Sequence, residues 1–337
     1  MHTQNYTYTH SGMPRRQLLR WVAAMAMTAS LTMDPALGQT YPSRLITVVN
    51  PYGAGAGVDP VARLVAQKLS ERLGQPVVVE NRTGASGMIG AGYVATSAPD
   101  GYTLLISASN DVAINQHLYK NMKYKAERDF APITQLVQLP MVMVVHPTVP
   151  AKSLQEFMAL ARTKPGGLTY GTPGNGSLQH LIGARLQSLT GIEMLHVPYR
   201  EKLMIDLLAG RIDASLAGAH VMAPYVKAGT LRPLFITGTQ RSPLYPDLST
   251  VTELGMPALN ITQWFGAYAP SGTPPTIVNR LNQEMVAILQ SPDVRKTLLD
   301  IGAEPVGSSP EAFAQFLKAE IARFGELVRV SGATVEQ

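Results

Sequence analysis

Two glycine-rich loops hold the residues of this chain whose types and spacing suit chemistry. The first runs Pro51-Tyr52-Gly53-Ala54-Gly55-Ala56-Gly57-Val58-Asp59, and the second runs Gly171-Thr172-Pro173-Gly174-Asn175-Gly176-Ser177. Each follows a short strand-like run and precedes an amphipathic stretch, so each reads as a strand-to-helix turn. The first-turn amides of a helix have no partner within it, and the positive end of the dipole adds to them, which makes such a turn suited to an anion. Glycine lets the backbone approach a ligand and take positive φ. Two such turns facing each other would suit a small carboxylate caught in a cleft. Each is equally consistent with an ordinary tight turn of an α/β fold.

Other chemistries fit less well. Gly53, Gly55 and Gly57 open a helix after a strand, and Glu80 ends the next strand where a ribose-binding acid would sit. The dinucleotide fingerprint G-x-G-x-x-G nevertheless needs a third glycine, where this chain has Val58 or Pro60. Gly84-Ala85-Ser86-Gly87-Met88-Ile89-Gly90 has the wrong spacing as well. His117, His146, His180, His196 and His220 are scattered, with no metal-ligand spacing such as H-E-x-x-H. No glycine follows Ser177 at the offset a nucleophile elbow requires. Ser177 and His180, one helical turn apart, read as a cap and a ligand contact rather than a nucleophile and base. Met141 and Met143 read as core filler. No cofactor, metal or catalytic residue is expected.

The chain has 337 residues, 45% hydrophobic and 15% charged, and no cysteine. It is long enough for two domains, and disulfides and thiolate metal sites are excluded. The formal charge is +5, but Arg15, Arg16, Arg20 and Asp34 belong to the N-terminal 38 residues, and the remainder carries +3. No basic block or aromatic-basic stripe supports nucleic-acid binding. Residues 14–20 are basic, residues 21–33 are an uncharged apolar run too short for a membrane-spanning helix, and Ala36-Leu37-Gly38 is a small-x-small site. Residues 1–38 are therefore expected to be a signal peptide, cleaved near Gly38/Gln39, which places the mature protein in the periplasm. Arg15-Arg16 also resembles a twin-arginine signal, although Pro14 stands where Ser or Thr is usual, so Sec export stays open.

The elements that must position the two loops alternate between strand and helix. Leu45 to Val49 is a β-branched run, and Asp59-Pro60 reads as an N-cap followed by Pro at the first helical position. Val61, Leu64, Val65, Leu69 and Leu73 mark one helical face, Gly74 stops that helix, and residues 76–80 form the next strand. A related plan recurs at residues 168–197, with Ser177 as the N-cap of a helix ended by Gly191. Helices are expected over 274–290 and from Ser309-Pro310 onward. The result is an α/β protein with mostly parallel sheets. Extended, proline-punctuated stretches at 139–147 and 262–270 read as two crossings between lobes. They divide the mature chain into lobe 1 (39–138 and 267–337) and lobe 2 (139–266).

Many ordered segments resemble the solute receptors of tripartite tricarboxylate transporters, the Bug-type receptors. They include Tyr41-Pro42-Ser43-Arg44, the loop ending in Asp59, Val61-Ala62-Arg63-Leu64 and residues 74–82 (Gly-Gln-Pro-Val-Val-Val-Glu-Asn-Arg). Ala98-Pro99-Asp100-Gly101-Tyr102, Asp129-Phe130-Ala131-Pro132, Gly174-Asn175-Gly176-Ser177 with His180, Val197-Pro198-Tyr199 and Trp264-Phe265-Gly266 continue the pattern to about Gly332. The resemblance implies a type II periplasmic binding-protein fold with two α/β lobes and a ligand cleft between them. It further implies that a ligand carboxylate is held by amides, hydroxyls and bridging waters of the two loops. The candidate ligand-binding residues are Tyr52, Gly53, Ala54, Gly55, Val58 and Asp59 in the first loop. Thr172, Gly174, Asn175, Gly176, Ser177 and His180 belong to the second, with Ser86 and Ser109 nearby.

The sequence departs from the family in two places. After Tyr199, residues 199–206 are about two residues shorter than in similar receptors and lack glycine, which puts the distal half of the pocket in question. Met88 replaces a polar residue common there. The expected function is a non-enzymatic, monomeric periplasmic receptor. It would bind a small carboxylate (amino acid, di- or tricarboxylate, or aromatic acid) and deliver it to membrane permease subunits, with no nucleic-acid partner. A periplasmic α/β enzyme acting on a carboxylated substrate and a ligand-sensing signalling component are the alternatives.

Overall fold

Ile46–Asn50 (β1) is buried along nearly its whole length, as a central parallel strand rich in β-branched residues should be. It pairs in parallel with Val77–Asn81 (β2) on one side and Thr103–Ala108 (β3) on the other. Between β1 and β2 the helix Val58–Leu73 (α1) buries Val61, Ala62, Val65, Ala66 and Leu69, and it ends at Gly74, whose φ of 66° is left-handed. The computed structural model of the chain describes residue 4 and residues 41–335, apart from 56, 165 and 200. The expected leader, with its cleavage site at Gly38/Gln39, lies outside the described residues. The fold is that of residues 44–337, one compact unit.

From β2 the chain continues through Met88–Ala95 (α2) to β3, then a π-helical turn at Asn110–Ile114, to Phe130–Leu139 (β4) and Met141–Val145 (β5). Leu154–Thr163 (α3), Leu168–Thr172 (β6), Leu178–Thr190 (α4), Met194–Pro198 (β7), Leu203–Leu208 (α5), Ala214–Gly218 (β8), Ala219–Lys227 (α6) and Arg232–Ile236 (β9) follow. The C-terminal third is Gln263–Pro270 (β10), Pro275–Gln290 (α7), Pro292–Asp300 (α8), Glu304–Pro305 (β11) and Pro310–Ser331 (α9).

Among the described residues, eleven strands form two sheets. The larger has the order β11-β4-β10-β3-β1-β2 and the smaller β7-β6-β8-β5-β9. β10 runs antiparallel to β3 and β4, and β5 runs antiparallel to β8 and β9, so each sheet holds one reversed strand where the chain crosses over; the short edge strand β11 is also antiparallel to β4. The chain leaves the larger sheet at Pro140 and returns between β9 and β10. The two passages are tied together: the Met141 N–H donates to Thr237 Oγ1 and the Thr237 N–H donates to the Met141 carbonyl, both at 2.8 Å.

Three sequence expectations differ from what forms. The boundary at 266 would leave Gln263 to Gly266 in the second lobe, yet they pair with Leu139 to Gln135 in the larger sheet. The cause is packing: Trp264 is fully buried, stacks edge-on against Phe313 and Phe316 of α9, and donates its indole N–H to Glu320 at 2.9 Å. Pro292–Asp300 forms a separate helix that the sequence reading did not mark. α1 begins at Val58, so Asp59 sits inside the first turn and not at the N-cap, which is Gly57. α9 also packs against α4, where Glu326 pairs with Arg185 at 3.3 Å.

Candidate functional site

The first loop is shaped by the polar groups at its base. Asn50, fully buried at the end of β1, accepts the Tyr52 N–H at 3.1 Å and donates to Asp59 Oδ1 at 3.2 Å. Asn81, at the end of β2, donates to the same oxygen at 2.9 Å and to the Tyr52 carbonyl at 2.9 Å. The other Asp59 oxygen accepts the Gly55 N–H at 3.0 Å and Arg63 Nε at 2.8 Å. Burial alone would raise this carboxyl, but the hydrogen bonds from Arg63, Gly55, Asn81 and Asn50 outweigh it and hold the group well below the usual carboxylate range. Asp59 therefore stands behind the loop and fixes its curvature, with Gly55 at φ 77° supplying the left-handed residue.

A second buried carboxylate, unmarked in the sequence, backs the same loop. Asp111 lies in the π-helical turn after β3 and is completely buried. It accepts the Tyr52 hydroxyl at 2.8 Å and the Ser107 hydroxyl, and its carbonyl accepts the Tyr124 hydroxyl at 2.7 Å. Burial pushes its carboxyl up to about 6, against the pull of the Ser107 and Tyr52 hydrogen bonds.

The second loop is a self-bonded turn. Ser177 caps α4: its hydroxyl accepts the His180 N–H at 3.3 Å and donates to the Gly174 carbonyl at 2.7 Å. His180 is buried, and its Nδ1 accepts the Gly176 N–H at 3.1 Å, so the ring holds the turn from inside. It stacks on His196 at 3.9 Å between ring centroids, and His196 Nε2 meets the Thr172 hydroxyl at 2.6 Å. Burial lowers both imidazoles; for His196 the value falls to about 4, with His180 adding to the effect, so the pair is neutral at neutral pH. The Ser177 hydroxyl and the His180 ring do not bond each other and make no nucleophile–base pair.

The two loops meet at one cleft of about 650 Å³, which Tyr52, Gly55, Val58 and Ser177 all line. The remaining candidates sit around it. Gly53, Ala54 and Asn175 are exposed at the loop tips. Asp59, Thr172, Gly176 and His180 are buried supports, and Gly174 carries the carbonyl that Ser177 bonds. Ser109 is buried and accepts Gln263 Nε2 at 3.0 Å, which places a side chain of the cleft wall. Ser86 bonds the Tyr119 hydroxyl at 3.1 Å, and Met88 packs against the core; neither lines the cleft. Among the described residues, none of the stretch after Tyr199 lines it either: the Tyr199 hydroxyl donates to Asp206 at 3.0 Å, and Asp206 pairs with Arg211.

The sequence reading missed the rest of the wall: Asn110 and Gln179, the Gly218–His220–Val221 turn opening α6, Gln263 and Phe265 on β10, Leu139 and Met141 at the crossing, and Ile301. The one available signal was that β8 and α6 repeat the strand-turn-helix plan of the two glycine loops. Among the described residues no Asp, Glu, Lys or Arg lines the cleft. Its polar complement is helix-terminus amides, hydroxyls, carboxamides and one imidazole, a set that can bind an anion by hydrogen bonds without a formal countercharge.

Known proteins match this arrangement. Residues 61–333 match the family model for tripartite tricarboxylate transporter receptors. Protein BugT of Bordetella pertussis is 34% identical over 323 residues, covering 95% of this chain and 99% of its own. The Rpa4515 protein of R. palustris, solved with adipate, is 36% identical with a TM-score of 0.76 over 87% of this chain and 99% of its own. MatC of Rhodopseudomonas palustris, solved with malate, is 31% identical with a TM-score of 0.71 over 86% of this chain and all of its own. The resemblance read from the ordered segments is thus borne out along with its two-lobed α/β fold, and the chain belongs to the receptor family of tripartite tricarboxylate transporters.

Proposed function

We propose that this chain is an exported, periplasmic receptor that captures a small carboxylate in the cleft and hands it, chemically unchanged, to the membrane subunits of a tripartite transporter. The observation that carries this reading is the convergence of Tyr52, Gly55, Val58 and Ser177, from two helix-opening loops on two different sheets, on one cavity. A carboxylate leaving water must find other donors or desolvation defeats binding. The first turns of α1 and α4, with the carboxamides of Asn110, Gln179 and Gln263, supply them. The adipate and malate held by two relatives fit the same logic. Export rests on the leader, and among the described residues no helix is long and apolar enough to cross a membrane. The receptor acts as a monomer whose lobes close by pivoting at the paired crossings around Pro140 and Thr237, because a ligand touching both lobes favours the closed form.

A thermal-shift screen tests the carboxylate reading. Malate, adipate, glutamate and benzoate are compared with their neutral amides; a ligand at 100 times its Kd stabilises the native state by about 2.7 kcal/mol, which is a shift of several degrees. At least one acid is expected to raise the melting temperature while its amide does not. Equal shifts from acids and amides, or none from any acid, would overturn the assignment.

A further inference from the structure

Strand order fixes how polarity is distributed along the cleft. In the larger sheet β1 and β3 lie towards one side and β4 and β11 towards the other, with β10 between; in the smaller sheet β6 lies on one side of β8 and β5 on the other. The turns after β1, β3 and β6 therefore gather Tyr52, Gly55, Asn110 and Ser177 at one end. The other end is built where β4 stops, where β5 starts, after β8 and before β11. Its lining is Leu139, Met141, Val221 and Ile301, with His220 as the polar side chain among them.

His220 is held firmly. A methyl group on Gly218 would stand 2.9 Å from its Cε1, and one on Gly302 would stand 2.7 Å from its Cβ, so the ring is wedged between two glycines, one from each sheet's connections. Its Nδ1 is tucked on that side without a hydrogen-bond partner. Nε2 stands farther out, 3.9 Å from the same Gly218 methyl, on a residue that lines the cleft. We infer that this far end is a subsite for an uncharged hydrogen-bonding tip, read by His220, and that the chain selects carboxylates with an apolar body and no second charge.

The inference rests on the carboxylate reading and narrows it. Burial lowers the His220 imidazole, which keeps the ring neutral at neutral pH, and a neutral ring offers one hydrogen bond, not a countercharge. Among the described residues no Lys or Arg lines the wall, so a second carboxylate there would exchange its water for the single partner they offer. A hydroxyl tip can donate or accept and so matches either tautomer of the ring. The apolar wall accepts a ring or an alkyl chain equally, since hydrophobic contact is non-directional.

Calorimetric titration with two series that differ only at the tip decides the matter: hexanoate, 6-hydroxyhexanoate and adipate, and benzoate, 4-hydroxybenzoate and terephthalate. In whichever frame binds, the hydroxy acid is expected to bind roughly 3- to 10-fold more tightly than the unsubstituted acid, the effect of one neutral hydrogen bond. The diacid is expected to bind more weakly than both. His220→Phe should erase the hydroxyl preference and leave the unsubstituted acid within about threefold, whereas His220→Gln, which keeps a neutral hydrogen-bonding group, should retain part of it. The tip series on the unaltered protein stands without the variants. Diacids binding as tightly as the hydroxy acids, or a hydroxyl preference that survives His220→Phe, would overturn the subsite and leave the carboxylate reading intact. Binding of none of the six acids would overturn both.

Discussion

Asp59→Asn isolates what the buried carboxylate does for the first loop. Asp59 is 4% exposed and accepts four hydrogen bonds, two on each oxygen. An asparagine can keep one oxygen but must turn its NH2 either towards the Gly55 N–H and Arg63 or towards the Asn50 and Asn81 amides. The latter cannot flip to compensate, because Asn50 Oδ1 already accepts Tyr52 N–H and Asn81 Oδ1 accepts Arg63 Nη2. Two charge-assisted bonds are lost whichever way it turns, each worth about 1.5–3 kcal/mol where buried. Arg63 is half exposed, and its share must be discounted for solvent screening. A net cost of about 3 kcal/mol follows, which at about 2–4 °C per kcal/mol lowers the melting temperature by about 6–12 °C. The carboxyl's folded value is depressed, so its contribution is full above the unfolded value of about 3.9 and is lost as the pH falls further. Thermal unfolding followed by circular dichroism from pH 4 to 8 should show a constant gap between the two proteins down to about pH 5, narrowing below it. A variant that melts within 2 °C of the parent at pH 7, or a gap that widens towards acid, would refute the reasoning.

Asp111→Asn should behave in the opposite sense: its carboxyl is raised to about 6 in the fold, so the parent loses stability as pH rises from about 4 to 6, by about 3 kcal/mol in all. The amide still accepts from Tyr52 and can donate to Ser107, so the variant is expected to melt at or above the parent at pH 7.5 and to lose that advantage at pH 4.5; a lower melting temperature at pH 7.5 would overturn this. Ser177→Ala removes a cap whose proton is already given to the Gly174 carbonyl. It should lower stability by about 1 kcal/mol and weaken a confirmed carboxylate ligand by roughly 3- to 10-fold through the loosened turn, read by melting temperature and calorimetry together; unchanged affinity within twofold would separate the turn from the anion.

What the sequence made legible was local. The β-branched run Ile46 to Val49, the helical face of Val61, Val65 and Leu69 and the stop at Gly74 are carried by a few neighbouring residues, and periodicity reports them. Ser177 was readable as a cap for the same reason, because a cap acts within one turn. Asp59 was not: Asp before Pro is the usual chemistry of a helix start, but its oxygens are claimed by Asn50 and Asn81, nine residues before and 22 after it. Those donors exist only once β1 and β2 are paired. The bracing role of His180 was hidden by the same logic, since its Nδ1 accepts the Gly176 N–H and its ring stacks on His196 from the neighbouring strand β7. Asp111 gave no signal, as nothing in Ser-Asn-Asp announces a π-helical turn. The far wall was hidden most completely. Leu139, His220 and Ile301 come from three separate parts of the chain and become neighbours only because β4 lies next to β11 and β8 lies next to β5. The end of the cleft proposed to hold the anion is thus written in two local loops. The end proposed to distinguish one acid from another is assembled by sheet order, so a substitution at His220 should alter selectivity while the two loops stay intact.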